Sequence, residues 1–298
     1  MEVVPISPRG YCYGVVDALK LATAVARDPA TPRPIYVLGL LVHNHHAVAQ
    51  LESLGIRSLD GPDRLALLDQ VPPGSTVIFT AHGVSPAVKA AARARGLHCV
   101  DATCPDVTKT HDLVRELAAR GYFIVYVGKR GHPEPEGVLG EAPDRVVLVE
   151  TPEEADRLQL PDDVPLAVTT QTTLSQWDTQ EVIERIKARY PHAEVYNEIC
   201  LATQLRQQAA VQAAASVDLV IVVGDRRSNN SGRLVQVVQE RAGKPAYLVE
   251  DVHQIRPEWL RGARRVGVTA GSSTPSPITR EVIRWLEAFE PDRDVDSR

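Results

Sequence analysis

Short apolar runs, each closed by polar residues and separated by stretches of helical spacing, dominate the pattern along the chain. Residues 35–39, 123–128 and 219–224 form one set, each ending at a glycine. Residues 77–83, 167–173 and 266–273 form a second set, apolar at the start and polar at the exit. Two further runs close on Leu148-Val149-Glu150 and Leu248-Val249-Glu250. Apolar runs of this length, bounded by turns, read as strands buried on both faces, and helices between them predict parallel βαβ units. Three shorter strand-like runs, 2–6, 98–102 and 193–196, lead to Cys12, Cys104 and Cys200, and helical stretches at 15–26, 107–119 and 201–215 follow.

The cysteines stand at nearly equal intervals, and the elements around each repeat in the same order, so the chain reads as three successive thirds. The expected fold is α/β: three small, pseudo-threefold-related lobes with mostly parallel sheets around a common centre. Their expected bounds are 1–100, 101–196 and 197–290, with a frayed tail at 291–298. In parallel sheets ligands gather beyond the carboxyl ends of the strands. The loops there read Val42-His43-Asn44-His45-His46, Gly131-His132-Pro133-Glu134 and Arg226-Arg227-Ser228-Asn229-Asn230-Ser231.

Composition narrows the function. With 44% hydrophobic and 24% charged residues the chain suits a globular protein, and its formal net charge of −5 gives no basic excess for nucleic acid. No apolar run approaches the roughly 18 residues of a membrane span, and no secretory leader is visible at the start. A reducing cytoplasmic setting is therefore expected, in which cysteines serve metals or catalysis rather than disulfides. Cysteines at helix N-termini favour the thiolate, and three together need a cation among them; soft thiolates select zinc or an iron–sulfur cluster. The close sequence pairs of a structural zinc site are missing, and Cys99, inside an apolar run, reads as a buried thiol. Three thiolates on four irons leave one iron open to substrate, which suits reductive chemistry.

The loops supply the remaining groups. His43, His82 and His132, with Asn44, Thr172, Ser228, Asn230 and Ser273, make a donor-rich set suited to phosphate or diphosphate oxygens. Ser228 and Ser273 also read as helix N-caps, a role compatible with anion binding. Glu134, between Pro133 and Pro135, reads as a carboxyl group on a stiff loop that becomes a proton donor near neutral pH if its pocket is dehydrated. His132 beside it reads either as a proton relay or as a phosphate ligand.

Eight segments in order, among them Pro8-Arg9-Gly10-Tyr11-Cys12, Val42-His43-Asn44, Ala81-His82-Gly83, Asp101-Ala102-Thr103-Cys104-Pro105, Gly131-His132-Pro133-Glu134, Gln171-Thr172-Thr173 and Ile199-Cys200-Leu201-Ala202-Thr203, carry a resemblance. The chain resembles the 4-hydroxy-3-methylbut-2-enyl diphosphate reductase family, iron–sulfur enzymes ending the non-mevalonate isoprenoid pathway. The resemblance implies that Cys12, Cys104 and Cys200 hold a [4Fe–4S] cluster whose fourth iron takes the substrate's hydroxyl oxygen. It implies that Glu134 supplies protons, Thr172 positions the hydroxyl end, and His43, His82, His132, Ser228, Asn230 and Ser273 hold the diphosphate. It also implies isopentenyl and dimethylallyl diphosphates as products and ferredoxin or flavodoxin as electron donor. The family commonly has two serines before the asparagine where this chain has Ser228-Asn229-Asn230, and the larger Asn229 predicts a small shift of that loop. Tyr13 reads as packing beside the cluster. Two rival readings are a quinolinate-synthase-like dehydratase, which favours more arginine at the centre, and a non-catalytic iron–sulfur sensor, which has little need of Glu134.

Overall fold

Every run marked as a strand by its hydrophobic pattern is a strand in the structure, a computed structural model that describes residues 1–161 and 164–289. The tail expected at 291–298 lies outside the described residues. In chain order come β1 (Glu2–Pro5), α1 (Tyr13–Arg27), β2 (Ile35–Leu38), α2 (His45–Glu52), β3 (Ile56–Leu59), α3 (Arg64–Leu67), β4 (Thr76–Phe79), α4 (Pro86–Ala94) and β5 (His98–Asp101). Then follow α5 (Pro105–Ala119), β6 (Phe123–Val127), α6 (Pro133–Leu139), β7 (Val146–Val149), α7 (Pro152–Arg157), β8 (Leu166–Thr170), α8 (Gln176–Arg189) and β9 (Glu194–Tyr196). The last part holds α9 (Leu201–Ala214), β10 (Leu219–Val223), α10 (Asn229–Ala242), β11 (Ala246–Val249), β12 (Arg265–Ala270) and α11 (Ser276–Ala288). Among the described residues no helix is long and apolar enough to cross a membrane.

These strands form three four-stranded sheets of one design, β3-β2-β4-β5, β7-β6-β8-β9 and β11-β10-β12-β1, with every neighbouring pair parallel. Of the central strands, β2, β4, β8 and β10 are buried along their whole length and β6 and β12 beyond their first residue, because helices cover both faces. In β10, Leu219, Ile221 and Val223 pack with Val282 and Leu286 of α11, whereas Val220 and Val222 pack with Ala210 and Ala214 of α9 and Leu234 of α10. The period-two alternation of a strand thus feeds two cores. Detail recurs as well: Glu150 accepts the Arg130 amide at 3.0 Å, and Glu250 accepts the Arg226 amide at 3.4 Å.

Four features differ from the sequence pattern. The strand β3 has no counterpart among the marked runs, because Arg57 and Ser58 break its apolar character at a sheet edge. The strand β1, expected with the first lobe of 1–100, pairs with β12 in the sheet of the last third, Glu2 opposite Arg265. The loop at 42–46 is shortened by α2, which starts at His45. Glu134 sits in the first turn of α6 rather than on a loop: Pro133 occupies the first helical position and Pro135 still falls in the turn whose amides need no partner.

Two compact units divide the chain. One comprises Met1–Cys12, His43–Ala47 and the chain from Leu201 onward and holds the third sheet; the other comprises Tyr13–Val42 and Val48–Cys200 and holds the first two. In the second unit Gly39, at φ 111°, ends β2, and a Cβ there would lie 1.9 Å from Nη1 of Arg64. That buried guanidinium donates to the Leu38 carbonyl at 3.0 Å. Gly39→Ala is therefore expected to cost about 1–3 kcal/mol, seen as a lower denaturation midpoint, through backbone strain and displacement of Arg64.

Candidate functional site

The loops carrying the expected site residues leave β2, β4, β6, β8, β10 and β12, the two adjacent central strands of each sheet. Chain order reverses between those two strands, which is where open parallel sheets bind ligands. His43 follows β2, His82 follows β4, His132 and Glu134 follow β6, Thr172 follows β8, Ser228 and Asn230 follow β10, and Ser273 follows β12.

Each cysteine follows the edge strand beside that point and heads a helix. Cys104 is the N-cap residue of α5, and Cys12 and Cys200 immediately precede α1 and α9. A backbone bond of the same kind holds each one: Cys12 N donates to Ser272 O at 3.1 Å, Cys104 N to Ala81 O at 3.0 Å, and Cys200 N to Thr172 O at 3.1 Å. In all three the acceptor stands two residues past the end of the neighbouring strand. No sequence signal marked these bonds. None of the four cysteines is in a disulfide, and all four are half-buried. Burial raises the pKa of Cys99 on β5, in keeping with its reading as an inert thiol.

In the larger unit a hydrogen-bonded cluster is built around the buried Glu134. Its carboxyl group is 1% exposed and accepts the Thr172 amide on Oε1 at 2.7 Å and the Thr172 hydroxyl on Oε2 at 3.0 Å. The hydroxyl of Tyr126, itself fully buried, donates to Oε1 at 3.5 Å. Burial pushes the Glu134 pKa up to about 7, with nearby Asp106 adding to the rise and the bonds from Thr172 and Tyr126 opposing it. His132 caps α6 by accepting the Glu134 amide on Nδ1 at 3.1 Å. In the neutral ring this leaves the proton on Nε2, so His132 presents a donor. The His82 ring meets it edge-on, with centroids 5.3 Å apart. Tyr13 lies in the field of Cys104 and Cys200; its hydroxyl pKa is raised by burial, by its bond to Asp106 and by the two sulfurs. A Cβ on Gly14 would come 2.3 Å from the Cys104 sulfur, so only glycine leaves room at the start of α1.

In the smaller unit Ser228 caps α10 by accepting the Ser231 amide at 3.3 Å, whereas Ser273 is no cap and donates to the His43 carbonyl at 2.8 Å. Asn230, in the first turn of α10, accepts the Ser272 amide at 2.9 Å and donates to Thr203 Oγ1 at 3.4 Å. Asn44 accepts the amides of His46 and Ala47 and so caps α2. Thus Cys200, Thr172 and Glu134 are joined in one unit, and Cys12, Ser272 and Asn230 in the other.

A model of the family described as LytB protein matches residues 3–287. The chain belongs to the LytB family. A relative from Symbiobacterium thermophilum is 61% identical over 97% of this chain and 98% of its own length, and one from Anoxybacillus flavithermus is 57% identical over 98% and 92%. Both are named 4-hydroxy-3-methylbut-2-enyl diphosphate reductase. The solved structure of the E-1-hydroxy-2-methyl-but-2-enyl-4-diphosphate reductase from Plasmodium falciparum is similar with a TM-score of 0.90 and 34% identity, covering 96% of this chain and 87% of that one. A second, described as (E)-4-hydroxy-3-methyl-but-2-enyl diphosphate reductase, the terminal enzyme of the non-mevalonate pathway, gives a TM-score of 0.66 at 33% identity, covering 97% of this chain and all of that one. The family is one of iron–sulfur enzymes, and three cysteines at equivalent helix heads, with no disulfide among them, suit such a group.

The Glu134 environment has a consequence for stability. Its pKa rises from 4.5 to about 7 on folding, so its contribution is fully present below 4.5 and lost as pH climbs to 7. Glu134→Gln is therefore expected to gain thermal stability over the parent between those pH values, by about 3 kcal/mol, and to level off above. Melting curves taken across that range check it; a constant offset would mean an ionised Glu134 throughout.

Proposed function

We propose that this chain is a reductase of (E)-4-hydroxy-3-methylbut-2-enyl diphosphate, forming isopentenyl and dimethylallyl diphosphates. Two electrons and two protons enter, the allylic C–O bond breaks, water leaves, and one proton ends on carbon. The observation that carries this reading is Glu134, a fully buried acid with a pKa of about 7, held on two sides by Thr172. The names of the relatives at 61% and 57% identity support the same substrate.

Cys12, Cys104 and Cys200 are the residues that would hold a [4Fe–4S] cluster, which when bound supplies single electrons and Lewis acidity at one iron. Thr172 orients the hydroxyl end of the substrate and keeps the Glu134 carboxyl turned toward it. Glu134, half protonated near neutrality, gives a proton to the departing oxygen. His132, through its Nε2–H, joins His43, His82, Ser228, Asn230 and Ser273 in taking the diphosphate oxygens. Asn229 keeps hydrogen-bonding capacity beside them. Ferredoxin or flavodoxin is the proposed electron donor, and the reducing cytoplasm, where free thiols persist, the proposed setting.

The test uses protein prepared without oxygen. Iron and sulfide analysis should give a four-iron cluster whose paramagnetic resonance spectrum changes when the allylic diphosphate is added; zinc, or a spectrum blind to the diphosphate, sinks the proposal. Glu134→Gln should lose about 10²- to 10⁴-fold in turnover with iron content unchanged. Retained turnover would remove Glu134 as the acid.

A further inference from the structure

One buried carboxylate has no part in the chemistry above. Asp225, just past the end of β10, is 2% exposed. Its Oδ1 accepts the Arg227 amide at 2.9 Å and Arg227 Nε at 3.3 Å, and its Oδ2 accepts Arg227 Nη2 at 3.3 Å. The guanidinium therefore spans both oxygens, and the pair carries no net charge. A bare carboxylate three residues before Ser228 would repel a diphosphate; this one is neutralised in place.

Oδ2 also accepts the amide of His45 at 3.0 Å, a residue 180 positions away in the chain. His45 is the first residue of α2, and the next two amides, of His46 and Ala47, are taken by Asn44 Oδ1 at 3.1 and 3.2 Å. Asp225 thus completes the capping of α2 from a distant strand end. Two residues earlier, the His43 carbonyl accepts the Ser273 hydroxyl. The segment His43–Ala47 accordingly belongs to the compact unit of the third sheet, although the chain on either side of it, up to Val42 and from Val48, belongs to the other.

We propose that Asp225 is a positioning residue for the diphosphate end of the substrate: by holding the start of α2 through His45, it keeps His43 in one preorganised set with Ser228, Asn230 and Ser273. The inference rests on the assignment of those four residues to the diphosphate. His45 Nδ1 lies 3.5 Å from the same carboxylate, and with Glu250 the three have the grouping of a cation site. Arg227 already supplies the positive charge there, which favours the latch.

The experiment compares Asp225→Ala, Asp225→Asn and His43→Ala in the cluster-loaded enzyme, reading KM for the allylic diphosphate, kcat per cluster, and inhibition by inorganic pyrophosphate. Asp225→Ala should raise KM and the pyrophosphate inhibition constant about tenfold and change kcat by less than about threefold. Asp225→Asn, whose side-chain oxygen still accepts from His45, should recover most of the loss. Hydrogen exchange at the His45 amide should quicken in the Ala variant and stay slow in the Asn variant. If the Ala variant does not fold, Asp225→Ser, too short to reach His45, carries the same expectation. A raised KM in His43→Ala with an unchanged KM in Asp225→Ala overturns the latch alone. An unchanged KM in His43→Ala overturns the diphosphate assignment and the latch together. Lower stability at constant KM makes Asp225 purely structural and also overturns the inference.

Discussion

One backbone hydrogen bond, made three times, decides where the cysteines that head α1, α5 and α9 are placed. In each sheet the cysteine after the edge strand gives its amide to the carbonyl two residues beyond the next strand, Ser272, Ala81 or Thr172. Because the bond is made by main chain, it recurs although the stretch from edge strand to cysteine differs in the three sheets, Pro5 to Cys12, Asp101 to Cys104 and Tyr196 to Cys200. Parallel strands then do the rest, since they send every donor-bearing loop out at the same end as the sulfur.

Thr172 shows how few atoms link sulfur to proton. Its carbonyl holds Cys200, while its amide and hydroxyl hold the two oxygens of Glu134. Burial and the charge of Asp106 push the carboxyl group up, the bonds from Thr172 and Tyr126 pull it down, and the balance stands at about 7. Small movements of one threonine would alter both ends. The environment, rather than the residue type, makes this carboxylate an acid suited to physiological pH.

Much of this was legible in the sequence. The strands showed because a sheet covered on both faces needs unbroken apolar runs, as in Leu219–Val223. The cysteines and loop histidines showed because they recur at fixed places in the repeat. What stayed hidden depends on partners distant in the chain. The partner of β1 lies in the last third, and the edge strand β3 has only Ile56 fully buried, too little to stand out. The helix around Glu134 was masked by two prolines that suggest a loop yet suit a first helical turn. Asn44 read as a donor, and its second task, capping α2 through its side-chain oxygen, was not visible. Asp225 carried no motif, and its meaning comes from an amide 180 residues away.

The pairing of β1 with β12 also sets an order of events during synthesis. Residues 2–5 are made some 260 residues before their partner strand, 265–268. Until then the N-terminal strand has exposed amides and carbonyls and Cys12 has no Ser272 to hold it. The first two sheets, whose strands are all made between residues 35 and 196, can close long before. The fixing of Cys12 is in this way postponed until β12 is made, and a chain cut short before that strand would leave the Cys12 amide without the Ser272 carbonyl.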